Sequence, residues 1–289
     1  MTSEITGKTQ LICLLGSPVA HSVSPLMHNA AFEALSLPYR YLCFDVTEDK
    51  MKEATDALRL FHARGFNCTM PVKTVMAELA DELSPAARLM GAVNTVVIED
   101  GKLIGHNTDG IGYMQSVKEA GFSIINEKMT LLGAGGAATA ICVQAALDGV
   151  KEIDVFSRVG ERFSKMERLA TLLTKETGCK IAVKDIKDEK SLTASILESK
   201  ILTNATSVGM APKAEACPIP ETMLLPKELI VSDIIYNPRQ TKLLEIAKKQ
   251  GCACFNGMYM LLYQGAAAFE LWTGKQMPVP MIKERYFKQ

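Results

Sequence analysis

Two serines spaced two apart, Ser22 and Ser24, stand just before Pro25 in His21-Ser22-Val23-Ser24-Pro25, ahead of a helix-like run. Ser24 before Pro25 is an ordinary N-cap arrangement, so helix formation accounts for Ser24 and leaves Ser22 over. Two hydroxyls beside the free N–H groups of a helix start make a neutral seat for a carboxylate. A second cluster, Asn67-Cys68-Thr69-Met70-Pro71-Val72-Lys73, ends on a lysine at the start of a helix-like segment. There the helix dipole disfavours a cation, which weakens the usual reading of a solvated surface lysine. A third cluster follows from a hairpin signal: Val93–Glu99, the turn Asp100-Gly101, then Lys102–His106. With Asp100-Gly101 as the whole turn, Glu99 faces Lys102 and Asn94 faces Asn107. One end of the hairpin then gathers Asn94, Asn107 and Asp109. Polar hairpin ends are common, so this cluster gains weight only beside the other two. Lysine and aspartate are residue types that serve general acid–base chemistry.

A different chemistry is written into Met129-Thr130-Leu131-Leu132, followed by Gly133-Ala134-Gly135-Gly136-Ala137-Ala138 and a helix-like run. This is the strand–turn–helix context of a dinucleotide site. Gly133 permits the tight turn, Gly135 lets the backbone approach a pyrophosphate, and Ala138 permits close helix–strand packing. The helix N-terminus turns free N–H groups toward the phosphates. The bland alternative is a glycine turn in an α/β domain that binds no nucleotide. An NAD site usually carries an acid at the end of the next strand. Here the strand Ile153–Ser157 runs into Ser157-Arg158-Val159-Gly160-Glu161-Arg162 with no acid at its tip. Arg158 and Arg162, four residues apart, suit a 2′-phosphate and favour NADP, with NAD as the other candidate. Alternatively both arginines only solvate a helix start.

The elements that must hold these residues alternate between strand-like and helix-like along nearly the whole chain, the signature of an α/β protein with parallel sheets. Strands are expected at Leu11–Leu15, Tyr39–Asp45, Phe66–Thr69, Lys128–Leu132, Ile153–Ser157, Lys180–Asp185, Ile201–Asn204 and, as the last, Ile230–Ile235. Helices are expected at Pro25–Leu35, Lys50–Ala63, Thr74–Leu83, Ala138–Asp148, Arg162–Thr177, Ser191–Glu198, Thr241–Lys249 and Met258–Thr273. Two successive α/β domains in 289 residues are the economical arrangement.

Composition narrows the function classes. Lys plus Arg and Asp plus Glu are 32 each, and zero formal charge argues against nucleic acid as the main partner. The apolar run Leu11–Leu15 is strand-sized, too short for a signal core or a membrane span. Eight scattered cysteines without a CxxC pair read as reduced thiols of a cytoplasmic protein. His21, His28, His62 and His106 show no metal-ligand spacing, so no metal site is expected.

Together the clusters resemble the shikimate/quinate dehydrogenase family. The matching runs are His21–Asn29, Asn67–Lys73, Gly91–Thr95, His106–Gly110, Gly133–Ala138, Asn204–Met210, Tyr236-Asn237-Pro238, Gly257 through Gln264-Gly265, and Leu271–Gly274. The resemblance implies a substrate-binding catalytic domain over 1–111, a Rossmann NAD(P)-binding domain over 112–256, and C-terminal helices over 257–289 that return to the first domain. It implies reversible oxidation of shikimate to 3-dehydroshikimate, with quinate as a further substrate; the alternatives are a dehydrogenase that prefers quinate or an amino-substituted analogue, and a homologue that binds ligand and dinucleotide without turnover. Lys73 and Asp109 would be the catalytic pair. Ser22 and Ser24 would hold the carboxylate, and Asn67, Thr69, Asn94, Asp109 and Gln264 the ring hydroxyls, with Tyr236 near the ring. Gly133, Ala134, Gly135, Gly136, Ala137, Ser157, Arg158, Arg162, Thr206 and Gly257 would contact the cofactor. A homodimer is the expected assembly. The chain departs from the family pattern at Val72, usually polar, at Tyr259, often small, at Tyr263, often Trp, and at Val159-Gly160, which fit neither cofactor subtype well.

Overall fold

The computed structural model describes Glu4–Phe287; Met1–Ser3 and Lys288–Gln289, the outer ends of the first and last expected segments, lie outside the described residues. The chain forms two compact units, one running to Thr108 and resuming at Leu262, the other spanning Asp109–Leu261.

The first unit contains β1 (Gln10–Gly16), α1 (Ser24–Ala34), β2 (Tyr39–Asp45), α2 (Met51–Leu60), β3 (Gly65–Cys68), α3 (Lys73–Leu79), β4 (Glu82–Leu83), α4 (Pro85–Met90), β5 (Thr95–Glu99) and β6 (Lys102–His106). Its sheet order is β2-β1-β3-β5-β6-β4. Strands β1, β2 and β3 are parallel because helices carry the chain back between them. The hairpin then reverses direction at β5 and β6. Asp100 (φ 50) and Gly101 (φ 78) both take positive φ, as the favoured two-residue hairpin turn requires. The resulting register pairs Glu99 with Lys102 and Thr95 with His106, as expected from the turn.

The second unit begins with α5 (Asp109–Glu119) and continues through β7 (Lys128–Leu132), α6 (Gly136–Leu147), β8 (Glu152–Ser157), α7 (Glu161–Thr177), β9 (Lys180–Asp185), α8 (Glu189–Glu198), β10 (Ile201–Asn204), β11 (Ile230–Asp233), α9 (Lys242–Lys249) and β12 (Ala253–Phe255). Its sheet is wholly parallel, in the order β12-β11-β10-β7-β8-β9. Strand order reverses between β7 and β10, and in doubly wound sheets ligands bind beyond the strand ends at that switch point. Leu132, Phe156, Leu202, Val231 and Leu243 fill the core on one face.

Helix α10 (Met258–Thr273) begins in the second unit and ends in the first, and α11 (Val279–Tyr286) follows it. The Trp272 indole N–H donates to Val96 O at 2.9 Å, and Arg64 Nε donates to Trp272 O at 2.7 Å, so the C-terminal helices do return to the first sheet.

Several elements differ from expectation. Ile230–Ile235 is not the last strand: β11 stops at Asp233, and β12 adds one more at the sheet edge. The helix expected over Thr74–Leu83 ends at Leu79, where Ala80 turns to extended backbone (ψ 136), and Glu82–Leu83 pair with β6 instead. The glycine turn is shorter than expected, because α6 already begins at Gly136.

Candidate active site

In the first unit the two serines exchange the parts expected of them. Val23 already has helical backbone (φ −87, ψ −7) and makes no side-chain cap bond, so α1 starts at Ser24 itself. Ser24 is therefore not the N-cap, because the turn begins one residue earlier than the serine–proline signal suggests. Instead Ser22 Oγ accepts the Ser24 N–H at 3.2 Å. A hydrogen bond from Ser22 also reaches Cys43, whose thiol is pushed up by burial above all. Ser24 is buried and Ser22 half-buried.

Asn67 lies at the end of β3, in register with Leu14 on one side and Thr95 on the other. Its Nδ2 donates to Asn94 O at 3.0 Å and to Thr95 Oγ1 at 2.9 Å, while its Oδ1 accepts from Tyr41 Oη at 2.7 Å. Asn94 Oδ1 accepts the Thr108 N–H at 2.8 Å, and Asn107 Nδ2 donates to Ala92 O at 3.0 Å. The chain from Cys68 to Lys73 is held by Thr69 N–H to Leu15 O (2.9 Å) and Val72 N–H to Thr69 O (3.0 Å). Lys73 opens α3, half-buried, and its carbonyl accepts the Val93 N–H at 2.9 Å. Ser22, Ser24, Asn67 and Lys73 are thus set at the C-terminal ends of neighbouring strands or the helix starts that follow them, and Asn94 joins Asn67 from just before the antiparallel β5. Gln264 sits half-buried on the part of α10 that belongs to this unit.

In the second unit Asp109 opens α5, where the helix dipole favours a carboxylate. Gly133 follows β7 at the switch point with φ +114; a Cβ there would lie 3.0 Å from Ala205 O and 3.1 Å from Thr206 Cγ2. The loop after β10 therefore approaches the glycine turn as only glycine allows. That loop is held from beneath. Asn204 Oδ1 accepts both the Thr206 N–H (3.1 Å) and its hydroxyl (2.7 Å), and Asn204 Nδ2 donates to Asp233 at 3.1 Å. Asp233 also accepts from Thr241 Oγ1 at 2.7 Å and the Ile235 N–H at 3.1 Å; burial is the main cause that pushes its carboxyl up. Gly257 passes so close to the chain just after β11 that a Cβ would collide with Ile234 O, with its own N–H donating to Ile235 O at 3.1 Å. This fixes the chain beside Tyr236, which is 44% exposed.

A dinucleotide fits what surrounds the glycine turn. A Cβ on Gly135 would meet nothing nearer than Arg162 Nη1, at 3.9 Å, and one on Gly136 nothing within 4 Å. Open space over a helix start with a guanidinium beside it is a cradle for phosphate. Ser157 is buried at the end of β8 and offers no acid to a ribose. The two arginines do not share a helical face, however. Arg158 precedes α7, which begins only at Glu161 after Gly160, so the four-residue spacing is not helical there. The structure places Arg162 beside Gly135 and leaves Arg158 on the exposed loop.

Sequence reasoning passed over Tyr41, Thr95, Thr108, Asn204 and Asp233. Asn204 and Asp233 carried a signal, each ending a strand that opens on two apolar residues and closes on two polar ones.

Comparison with known proteins bears on the whole chain. Residues 14–96 match the shikimate dehydrogenase substrate binding domain, and residues 257–284 the shikimate 5'-dehydrogenase C-terminal domain. The chain is 52% identical over 287 residues to shikimate dehydrogenase (NADP(+)) of Listeria monocytogenes serotype 4b (strain F2365), covering 99% of each. The crystal structure of shikimate 5-dehydrogenase from Listeria monocytogenes in complex with shikimate and NAD superposes with a TM-score of 0.94 at 52% identity, covering 98% of both chains. Quinate dehydrogenase from Corynebacterium glutamicum in complex with NAD matches with a TM-score of 0.86 at 29% identity, over 96% of this chain and 99% of that one. With 52% identity to a shikimate dehydrogenase over 99% of its length, this chain belongs to the shikimate dehydrogenase family.

Proposed function

We propose that this chain catalyses the reversible NAD(P)-dependent oxidation of shikimate to 3-dehydroshikimate, a step of aromatic amino acid biosynthesis, with Lys73 and Asp109 as the catalytic pair. The observation that carries this reading is the 52% identity to a shikimate dehydrogenase over 99% of the chain. Lys73 takes the hydroxyl proton of the ring carbinol as its carbon gives up hydride, and returns that proton in the reverse direction. Asp109 holds the Lys73 ammonium in place. Ser22 and Ser24 seat the carboxylate at the start of α1. Asn67, Thr69, Asn94, Asp109 and Gln264 take the ring hydroxyls, and Tyr236 lies near the ring. A bound dinucleotide supplies the hydride acceptor. Gly133, Ala134, Gly135, Gly136 and Ala137 would hold its pyrophosphate, with Ser157, Arg158, Arg162, Thr206 and Gly257 completing the seat. NADP is the first candidate and NAD the second, supported by Arg162 beside the glycine turn and Ser157 in place of an acid.

Quinate is a second substrate in this reading, supported by the 29% identity to a quinate dehydrogenase. The functional division is 1–111 for substrate, 112–256 for the dinucleotide and 257–289 for the returning helices. No helix among the described residues is long and apolar enough to cross a membrane. A cytoplasmic home suits the eight free thiols. A homodimer completes the proposal, and sedimentation velocity tests it. Steady-state rates for shikimate and quinate against NADP and NAD test the activity. Turnover of shikimate with NADP is expected, and turnover of neither acid with either dinucleotide contradicts it.

A further inference from the structure

Tyr41, Asn67, Thr95, Asn94 and Thr108 belong to one unit, and their polar groups form a continuous hydrogen-bonded line across its sheet. The Tyr41 phenol, on which the Ser24 side chain acts, donates to Asn67 Oδ1 at 2.7 Å. Asn67 Nδ2 donates to Thr95 Oγ1 at 2.9 Å, and Thr95 Oγ1 donates to Asn94 Oδ1, also at 2.9 Å. Asn94 Nδ2 donates to Thr108 Oγ1 at 3.0 Å. Tyr41 and Thr95 have no exposed surface, so neither meets a substrate itself.

The two amides within the line are each anchored at one point by a backbone group whose polarity cannot change. Asn94 O only accepts, so the Asn67 amide turns its nitrogen there and its oxygen toward Tyr41. The Thr108 N–H only donates, so Asn94 turns its oxygen there. An amide's oxygen and nitrogen ends are nearly equal in shape, and only such partners decide which way round it stands. Tyr41 and Thr95 supply the remaining hydrogen bonds that agree with both anchors. Asn67 is thereby fixed as an acceptor, and Asn94 as a donor, for whatever group they meet outside the line. The same line runs back to the Tyr41 phenol, beside Ser24 at the start of α1.

We propose that Tyr41 and Thr95 are positioning residues for substrate recognition, holding the Asn67 and Asn94 amides in one orientation and at a set spacing from Ser24. The ligand class this selects is a carboxylate whose ring hydroxyls stand at a fixed reach from the acid. The proposal deepens, and rests on, the shikimate reading given above.

Two near-isosteric variants and one conservative variant test it. Tyr41→Phe keeps the ring that stacks on His28 at 4.6 Å and removes only the hydroxyl. Thr95→Val removes the central hydroxyl, and Thr95→Ser retains it. In Tyr41→Phe and Thr95→Val, KM for shikimate should rise about five- to ten-fold, the effect of one neutral hydrogen bond, while KM for NADP stays within about two-fold. Thr95→Ser should stay close to the wild type. Unchanged KM for shikimate in Tyr41→Phe and Thr95→Val, with only the melting temperature lowered, would mean that both hydroxyls are packing features and would overturn the proposal. An equal loss for shikimate and NADP would mark general loosening and overturn it as well. If Thr95→Val does not fold, Tyr41→Phe decides by the same criteria. A wild type inert toward shikimate removes the functional reading and this proposal together, whereas an active wild type with unchanged variants removes the proposal alone.

Discussion

Lys73 begins α3, a place where the helix dipole works against a standing positive charge and the side chain is only half-buried. In the proposed reaction Lys73 exchanges the carbinol proton. Lys73→Ala should therefore lower kcat by about 10²- to 10⁴-fold, the usual worth of a general acid–base group, with a much smaller effect on shikimate binding. Measured kcat near the wild-type value would take Lys73 out of the mechanism. The serines make a separate case. Ser22 accepts the Ser24 N–H, so Ser22→Ala should both raise KM for shikimate and cost on the order of 1 kcal/mol in thermal stability. Equal melts for wild type and Ser22→Ala would show that this bond contributes nothing. The serine pair was legible in the sequence because its spacing is local, but which serine serves the helix was not. That depends on Val23 taking helical backbone one residue early, which no residue type in the run dictates. Tyr41 and Thr95 were hidden for a related reason. Their importance comes from strand register, which sets Asn67 opposite Thr95, and not from any motif of their own.

At the level of elements, the long parallel units and the hairpin could be read ahead of the structure, because apolar runs of strand length and the Asp-Gly turn are strong local signals. The short pieces could not. β4 has two residues and β12 three, too few to show any periodicity, and both exist because a neighbouring edge is there to pair with. The start of α7 was legible to within one residue, whereas which arginine faces the glycine turn depends on the path of the loop before it. With Arg162 next to Gly135, Arg162→Ala should raise KM for NADP more than Arg158→Ala does. The reverse order in cofactor titrations of the two variants would put the phosphate on the exposed loop instead. Gly257 offers a test of the frame itself. A methyl group there would collide with Ile234 O, so Gly257→Ala should destabilise the fold by about 2 kcal/mol or more, visible in a denaturant melt. A melt like that of the wild type would mean that this close approach is not maintained in solution.

On the scale of the whole molecule, acid sensitivity has an identifiable source in His28. The ring is fully buried against Tyr41, Phe32, Phe269 and Trp272, and neither nitrogen has a hydrogen-bond partner among the described residues. Burial alone pushes its pKa down from 6.5 to about 3. Between those values the unfolded chain binds a proton that the folded chain refuses, so His28 favours unfolding progressively as pH falls through that window and is neutral to stability above it. The melting temperature should drop from about pH 6.5 to about pH 4, and His28→Leu, which cannot titrate, should show a shallower drop. Identical slopes would show that His28 takes no part. None of this touches the central claim, that the Lys73 site oxidises shikimate at the expense of a bound dinucleotide. The decisive readout is the rate of NADP reduction on adding shikimate to saturated wild type and to Lys73→Ala, with shikimate binding to each measured by calorimetry. The account predicts turnover in the wild type, near-loss of turnover in the variant, and binding in both. Shikimate binding without NADP or NAD reduction in the wild type, or turnover that survives loss of the lysine, would contradict it.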